Sequence, residues 1–202
     1  MSVKPSQAPK RVAGQPRPRS KPAEVRLEEL MAAAQSLFLS QGVEATTVSE
    51  IVSRAEVAKG TFYHYFDSRN DMLVALGERY TRHFLERLEQ AVNACAEEDW
   101  VARISNWIGT SVQAYLDTYR LHDIVYPSQH HHDRGNPEKS AVLQQLLGIL
   151  WSLAQPGVIA SLIYAGVHGA TDDVIAAGEQ DRQPLAEAIV QACLRRLDVP
   201  HP

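Results

Sequence analysis

Residues 55–73 read AEVAKGTFYHYFDSRNDML, and this stretch decides the fold. Glu56-Val57 makes a tight connection, and a short helix follows from about Ala58 to Tyr65. Phe62 and Phe66 stand four residues apart and share one face, the face that packs. Tyr63 and His64 therefore point elsewhere. The helix opens on Lys59-Gly60-Thr61. A helix that enters a major groove end-on carries the positive end of its dipole towards phosphates, and it needs small or polar groups there. Gly60 removes a side chain where backbone has to come close. Thr61 offers a hydroxyl and a methyl. Four aromatics in five residues also fit a plain packing helix, but Gly-Thr is an odd start for one.

Working upstream, Thr47-Val48-Ser49-Glu50 is a capping box that opens a second short helix through about Ala55. Before it, Leu27, Leu30, Met31, Ala34, Leu37 and Phe38 recur at helical spacing, and Gly42 stops that helix. Two short helices joined by a tight turn and braced by a longer one describe a helix-turn-helix. Downstream, Ser68 caps a long fourth helix with Met72, Leu76, Tyr80, Phe84 and Leu88 along one stripe. Further helices are expected at 99–118, 137–155, 158–178 and 184–198. Pro156-Gly157 breaks one pair, and Pro184 suits a first turn. No stretch alternates with a period of two, so the class is all-α. The expected organisation is a basic arm at 1–22, a three-helix helix-turn-helix domain at 23–68 and a helical domain at 69–202.

Composition narrows the function. The chain has 202 residues, 45% hydrophobic and 22% charged, an ordinary globular balance. Its net charge of −4 hides an asymmetry. Residues 1–22 hold Lys4, Lys10, Arg11, Arg17, Arg19 and Lys21 and no acid, whereas the rest holds 14 basic and 24 acidic residues. Five prolines and few apolar residues leave that arm unable to bury a core, so it is expected to be disordered. A basic arm on an acidic body suggests a polyanion at one end only. Two cysteines, Cys95 and Cys193, cannot make a disulfide framework. The longest apolar run, Val158 to Val167, is half the length a bilayer needs. The basic N-terminus lacks the apolar core of a signal peptide, which makes the cytoplasm the expected location. No phosphate loop, nucleophile elbow or HExxH motif supports an enzyme.

The segment RLEELMAAAQSLFLSQGVEATTVSEIVSRAEVAKGTFYHYFDSRNDMLVAL (residues 26–76) resembles the DNA-binding head of the TetR family of bacterial transcriptional regulators. The resemblance covers about a quarter of the chain. It implies that Lys59, Gly60, Thr61, Tyr63 and His64 meet operator bases or phosphates. It also implies that Thr46 and Thr47 face phosphate at a helix N-terminus, and that Arg69 contacts the DNA backbone. Glu56 departs from the turn glycine common in the family, and Ala58 from its Ser or Thr cap. Each departure costs about 1 kcal/mol.

The same resemblance implies a homodimer held by the last two helices, and a pocket in the middle ones. The small residues Ala160, Ala165, Gly166, Gly169 and Ala170 allow close helix approach, and Leu185, Ile189, Cys193 and Leu197 follow on the last helix. For the pocket, the candidate ligand-binding residues are Trp107, Ser111, Tyr115, His122, Tyr126, Trp151, Tyr164 and His168: aromatic walls with a few polar handles. His130, His131 and His132 lie in the polar loop YPSQHHHDRGNP (126–137). Neighbouring imidazoles on a loop converge poorly on one ion, so no metal site and no cofactor is expected. The sequence reads as a repressor that binds a palindromic double-stranded operator, leaves it when a small molecule binds, and has no membrane partner. Two alternatives stay open: a DNA-binding protein without an effector that acts structurally or through a protein partner, and a metal sensor using the histidine loop.

Overall fold

The computed structural model describes residues 22–127, 137–151, 155–178 and 182–196. Among them are eight helices and no strand: α1 (Ala23–Gln41), α2 (Val48–Arg54), α3 (Lys59–Tyr65), α4 (Arg69–Asn93), α5 (Trp100–Val125), α6 (Pro137–Leu150), α7 (Pro156–Ala177) and α8 (Arg182–Arg196). The expected all-α class and the order of elements hold. The arm and the histidine loop lie outside the described residues. No helix among those described is long and apolar enough to cross a membrane.

Local chemistry sets the boundaries. Gly42 ends α1 at φ 84°, a region that residues with a Cβ seldom enter, and its N–H donates to the Phe38 carbonyl. The Thr47 hydroxyl accepts from the Glu50 N–H while the Glu50 carboxylate accepts from the Thr47 N–H, so the expected capping box opens α2. Glu56 takes φ 54° in the turn before α3, and Ala58 precedes that helix with no side-chain cap. Ser68 caps α4 through the Asp71 N–H. Helix α5 runs to Val125, seven residues beyond the expected end at 118. The extension follows from what it can bury: Ile124 and Val125 pack against the N-terminal helices.

Two apolar clusters result. The first joins Leu30, Ala34, Leu37 and Phe38 of α1 to Ile51, Val52, Phe62 and Phe66, and takes in Met72 and Leu76 from the start of α4. The second holds Leu88 and Val92 from the end of α4, with Ile104, Trp107 and Ile108 of α5, Leu146 and Leu150 of α6, Ile163 and Val167 of α7, and Ile189 of α8. Helix α4 is thus common to both, a rod of about 37 Å at 1.5 Å per residue. Helix α5 packs on α1, α4, α6, α7 and α8.

Candidate functional site

The second helix of the helix-turn-helix is built around Phe62, which is wholly buried and lies against the rings of Tyr63 and Phe66. The Tyr65 hydroxyl donates to the Ala23 carbonyl at 3.0 Å and ties α3 to the start of α1. With that face anchored, Lys59, Gly60, Tyr63 and His64 are exposed and Thr61 is half-buried. Tyr63 leaves 51% of its surface in water, a large aromatic surface for the outside of a small helix. A Cβ on Gly60 would meet no atom within 4 Å. Internal packing therefore does not demand this glycine, and the open space lies outside the fold. Lys59, Gly60, Tyr63 and His64 form one outward surface along the length of α3.

Two residues expected at phosphates are engaged within the fold. Thr46 is wholly buried, and its hydroxyl donates to the Gly42 carbonyl at 2.7 Å. It braces the α1–α2 loop and has no side chain to offer DNA. Arg69 is equally committed: its guanidinium donates to the carbonyls of Glu44 and Thr46, at 3.0 and 2.8 Å, and to the Glu44 carboxylate at 3.1 Å. It fastens that loop to α4. Thr47 is exposed, but its hydroxyl is engaged with Glu50 at both its lone pair and its proton. Those Thr47 hydrogen bonds, with one from Gln41, hold the Glu50 carboxyl below its ordinary range.

In the second domain, five of the expected ligand residues converge. His122, wholly buried, sits among Tyr115, Tyr126 and His168, at ring separations of 4.8, 5.7 and 5.9 Å. Tyr164 packs on His168 at 4.4 Å. Sequence reasoning missed three more members. Tyr80, read only as part of the α4 stripe, lies 5.6 Å from His122. The buried Glu138 brings a carboxylate oxygen to 3.8 Å from His122 Nε2, within ion-pair range. Asp172 accepts from the Tyr115 hydroxyl at 3.0 Å. No spacing rule links positions 80, 122, 138 and 172, which come from four different helices.

The cluster reaches α4 through Tyr126, close to Leu76 of the first apolar cluster. The Tyr126 hydroxyl pairs with the Thr81 hydroxyl on α4 at 2.8 Å. A Cβ on Gly77 would stand 3.3 Å from that phenol oxygen, so the glycine lets the ring lie against α4. The Tyr164 hydroxyl is buried and makes no hydrogen bond among the described residues. Such an orphan costs about 1–3 kcal/mol.

Burial raises the phenols of Tyr80, Tyr115, Tyr126 and Tyr164 above their ordinary value. A raised phenol favours the folded state fully below its unfolded pKa of about 10, and the advantage is lost as pH rises through the folded value. In the folded protein these four tyrosines are expected to stay un-ionised past pH ~10 and to ionise together with unfolding. Tyrosinate absorbance followed alongside circular dichroism checks this; ionisation of all seven tyrosines at their free values with the helices intact would refute it.

The other three expected pocket residues lie elsewhere. Trp151 is 77% exposed at the end of α6. Trp107 is core, its indole N–H donating to the Gln145 side chain at 2.8 Å. The Ser111 hydroxyl is buried and donates to the Ile108 carbonyl, so it is no handle for a ligand. Among the described residues no group of three His, Cys, Asp or Glu side chains could hold a metal ion.

Residues 30–76 match the model of a family described as bacterial regulatory proteins, tetR family. The chain is 30% identical over 98 residues to an uncharacterized HTH-type transcriptional regulator, YvdT, of Bacillus subtilis, covering 48% of each protein. It is 37% identical over 67 residues to the HTH-type transcriptional repressor NemR of Escherichia coli, covering 33% of this chain and 34% of that one. It thus spans half or less of the curated relatives it matches. Both are named for control of transcription and neither for catalysis. In fold, it is similar to the transcriptional regulator FadR of Bacillus subtilis, solved in complex with stearoyl-CoA: TM-score 0.68 at 18% identity, over 82% of this chain and 96% of that one.

Proposed function

We propose that this chain, a member of the TetR family by its N-terminal domain and its fold, is a dimeric repressor that binds palindromic operator DNA and is released by a small molecule. The observation that carries the DNA half is the outward surface of Lys59, Gly60, Tyr63 and His64 on a helix whose opposite face is fixed by Phe62. Thr61 and the N-cap of α2 at Thr47 flank it. Lys59→Ala and Tyr63→Ala are each expected to weaken binding by about 1–3 kcal/mol while leaving the fold intact. Fluorescence anisotropy with DNA flanking the protein's own gene measures this. Undiminished affinity in both variants sinks the assignment.

The effector half rests on the Tyr164 hydroxyl, buried without a hydrogen-bond partner among the described residues, on a ring packed against His168. A ligand polar group would satisfy it, and the path from there through Tyr126 to Gly77 and Thr81 reaches α4. A regulator of this fold crystallised with stearoyl-CoA supports a small-molecule effector. A thermal-shift screen of lipophilic compounds, repeated on Tyr164→Phe, tests it; a hit whose affinity is the same in Tyr164→Phe counts against this site.

Dimerisation is read from α7 and α8. Val158 and Leu162 are 55% and 68% exposed, and an apolar groove of about 800 Å³ runs between the helices past Gly166, Ala170 and Leu185. A face of that kind on one chain marks an interface. The four-helix contact of two copies would cover it. Leu162→Glu is expected to raise the dimer dissociation constant by about a hundredfold or more, since it buries an unpaired charge at the contact. Sedimentation equilibrium measures it, and an unchanged dimer would move the interface elsewhere.

A further inference from the structure

Charges on α4 are sorted by face, apart from Arg82, which stands with the acidic residues. Arg79, His83 and Arg87 recur at four-residue spacing and line a cavity of about 330 Å³ between α1, α4 and α5. No Asp or Glu lines it, in a chain that is otherwise acidic after residue 22. Elsewhere on α4, Glu78, Glu86 and Glu89 border a separate cavity beside Tyr126. The rest of the basic cavity's wall is mostly apolar, including Leu76, Phe84 and Leu121, with Gln35 and Thr118 as its neutral polar members and Tyr80 stacked on Phe84 at 6.0 Å. The volume is at the small end for organic ligands.

Arg79 is the fixed element. Its side chain is nine-tenths buried, and it donates to the Glu28 carboxylate at 2.9 Å and to the Gln35 side chain at 2.7 Å. Both partners belong to α1. Glu28 is 60% exposed, so its own carboxylate can turn into water while a competing carboxylate takes its place on the buried Arg79. Arg87 is held on the rim by Asp117 at 3.0 Å. A guanidinium presents a planar fork of donors that matches a carboxylate, and a partly dry setting strengthens that pairing.

We propose that the α1–α4–α5 cavity is a binding site for a small organic monoanion: a carboxylate head at Arg79, supported by His83 and Arg87, on a compact apolar body against Leu76, Phe84 and Leu121. The site shares Tyr80 with the His122 cluster, but Tyr164 does not line it. Occupancy takes Arg79 from Glu28 and so loosens the tie between α1 and α4. Free phosphate has the charge but no body to fill the apolar wall.

Isothermal titration of the full chain with benzoate and hexanoate, each beside its own amide, and with inorganic phosphate, tests the site. At least one carboxylate is expected to bind once per subunit, about tenfold tighter than its amide and than phosphate. Arg79→Gln and Arg87→Gln should each lose about tenfold, and Leu121→Trp, which fills the cavity, should abolish binding. Arg87→Gln alters only a half-exposed pair and stays informative if Arg79→Gln fails to fold. No carboxylate exceeding its amide, or affinity indifferent to Arg87→Gln and Leu121→Trp, overturns the proposal. Amide hydrogen exchange across residues 23–41 should quicken on saturation with the bound carboxylate, and unchanged exchange would remove the link to α1. None of these readouts involves DNA, so the site and the repressor reading fail separately.

Discussion

Phe62→Ala is expected to unfold the N-terminal helices. The ring is wholly buried at the centre of the first cluster and is the only buried side chain of α3. A seven-residue helix cannot persist in water without tertiary packing, and Phe62 is the main anchor of α3, with the half-buried Tyr65 beside it. Phenylalanine-to-alanine changes in a core cost about 3–5 kcal/mol, a large share of the ~5–15 kcal/mol that holds a domain together. Urea unfolding followed by circular dichroism should show a low-denaturant transition for residues 23–65, and DNA binding should vanish with it. Tyr63→Ala, one residue along but on the outer face, should stay within about 0.5 kcal/mol of the parent. Equal midpoints for Phe62→Ala and Tyr63→Ala would mean that α3 is held by something other than its buried ring.

Trp107→Ala should be as damaging in the second domain. The indole is almost wholly buried, in a cluster drawn from five helices. Its N–H donates to Gln145 on α6, and the Gln145 amide donates in turn to the Leu85 carbonyl on α4. One side chain thus joins α5 to α6 and, through Gln145, to α4. Removing it leaves a cavity and an unpaired Gln145 oxygen, a loss of about 3–5 kcal/mol. Trp107→Phe keeps most of the volume and loses only the hydrogen bond, so about 1–3 kcal/mol is expected. Thermal unfolding of both variants orders them. A Trp107→Ala protein as stable as its parent, but blind to effector, would return this residue to the ligand role first expected of it.

Thr46 and Arg69 show the limit of a one-dimensional pattern, which records which residue stands at each position and not what its polar atoms touch. The 17 residues from Glu44 to Gly60 contain two helix starts and a turn whose backbone groups need partners, and Thr46 and Arg69 supply them for the loop before α2. The aromatic residues of the middle helices divided in the same way. Trp107 and Trp151 are chemically alike in sequence, yet one is core and the other 77% exposed, because α6 ends at Leu150 and leaves Trp151 beyond the packed layer.

The sequence by itself determined the elements that short-range chemistry controls. These are the positive-φ stop at Gly42, the Thr47–Glu50 box, the strained turn at Glu56, and the two faces of α3 that separate Phe62 from Tyr63. Each depends on residues within about four positions, where helix geometry fixes who meets whom. Tertiary structure alone decided the rest. It extended α5 to Val125 because Ile124 and Val125 had the first cluster to bury against. It brought His122, Glu138, Tyr164 and Asp172 from three helices into one cluster. It also turned Arg79 inward to Glu28 and Gln35, some fifty residues away along the chain. Burial and pairing at that range depend on how whole helices cross, and no local spacing encodes it.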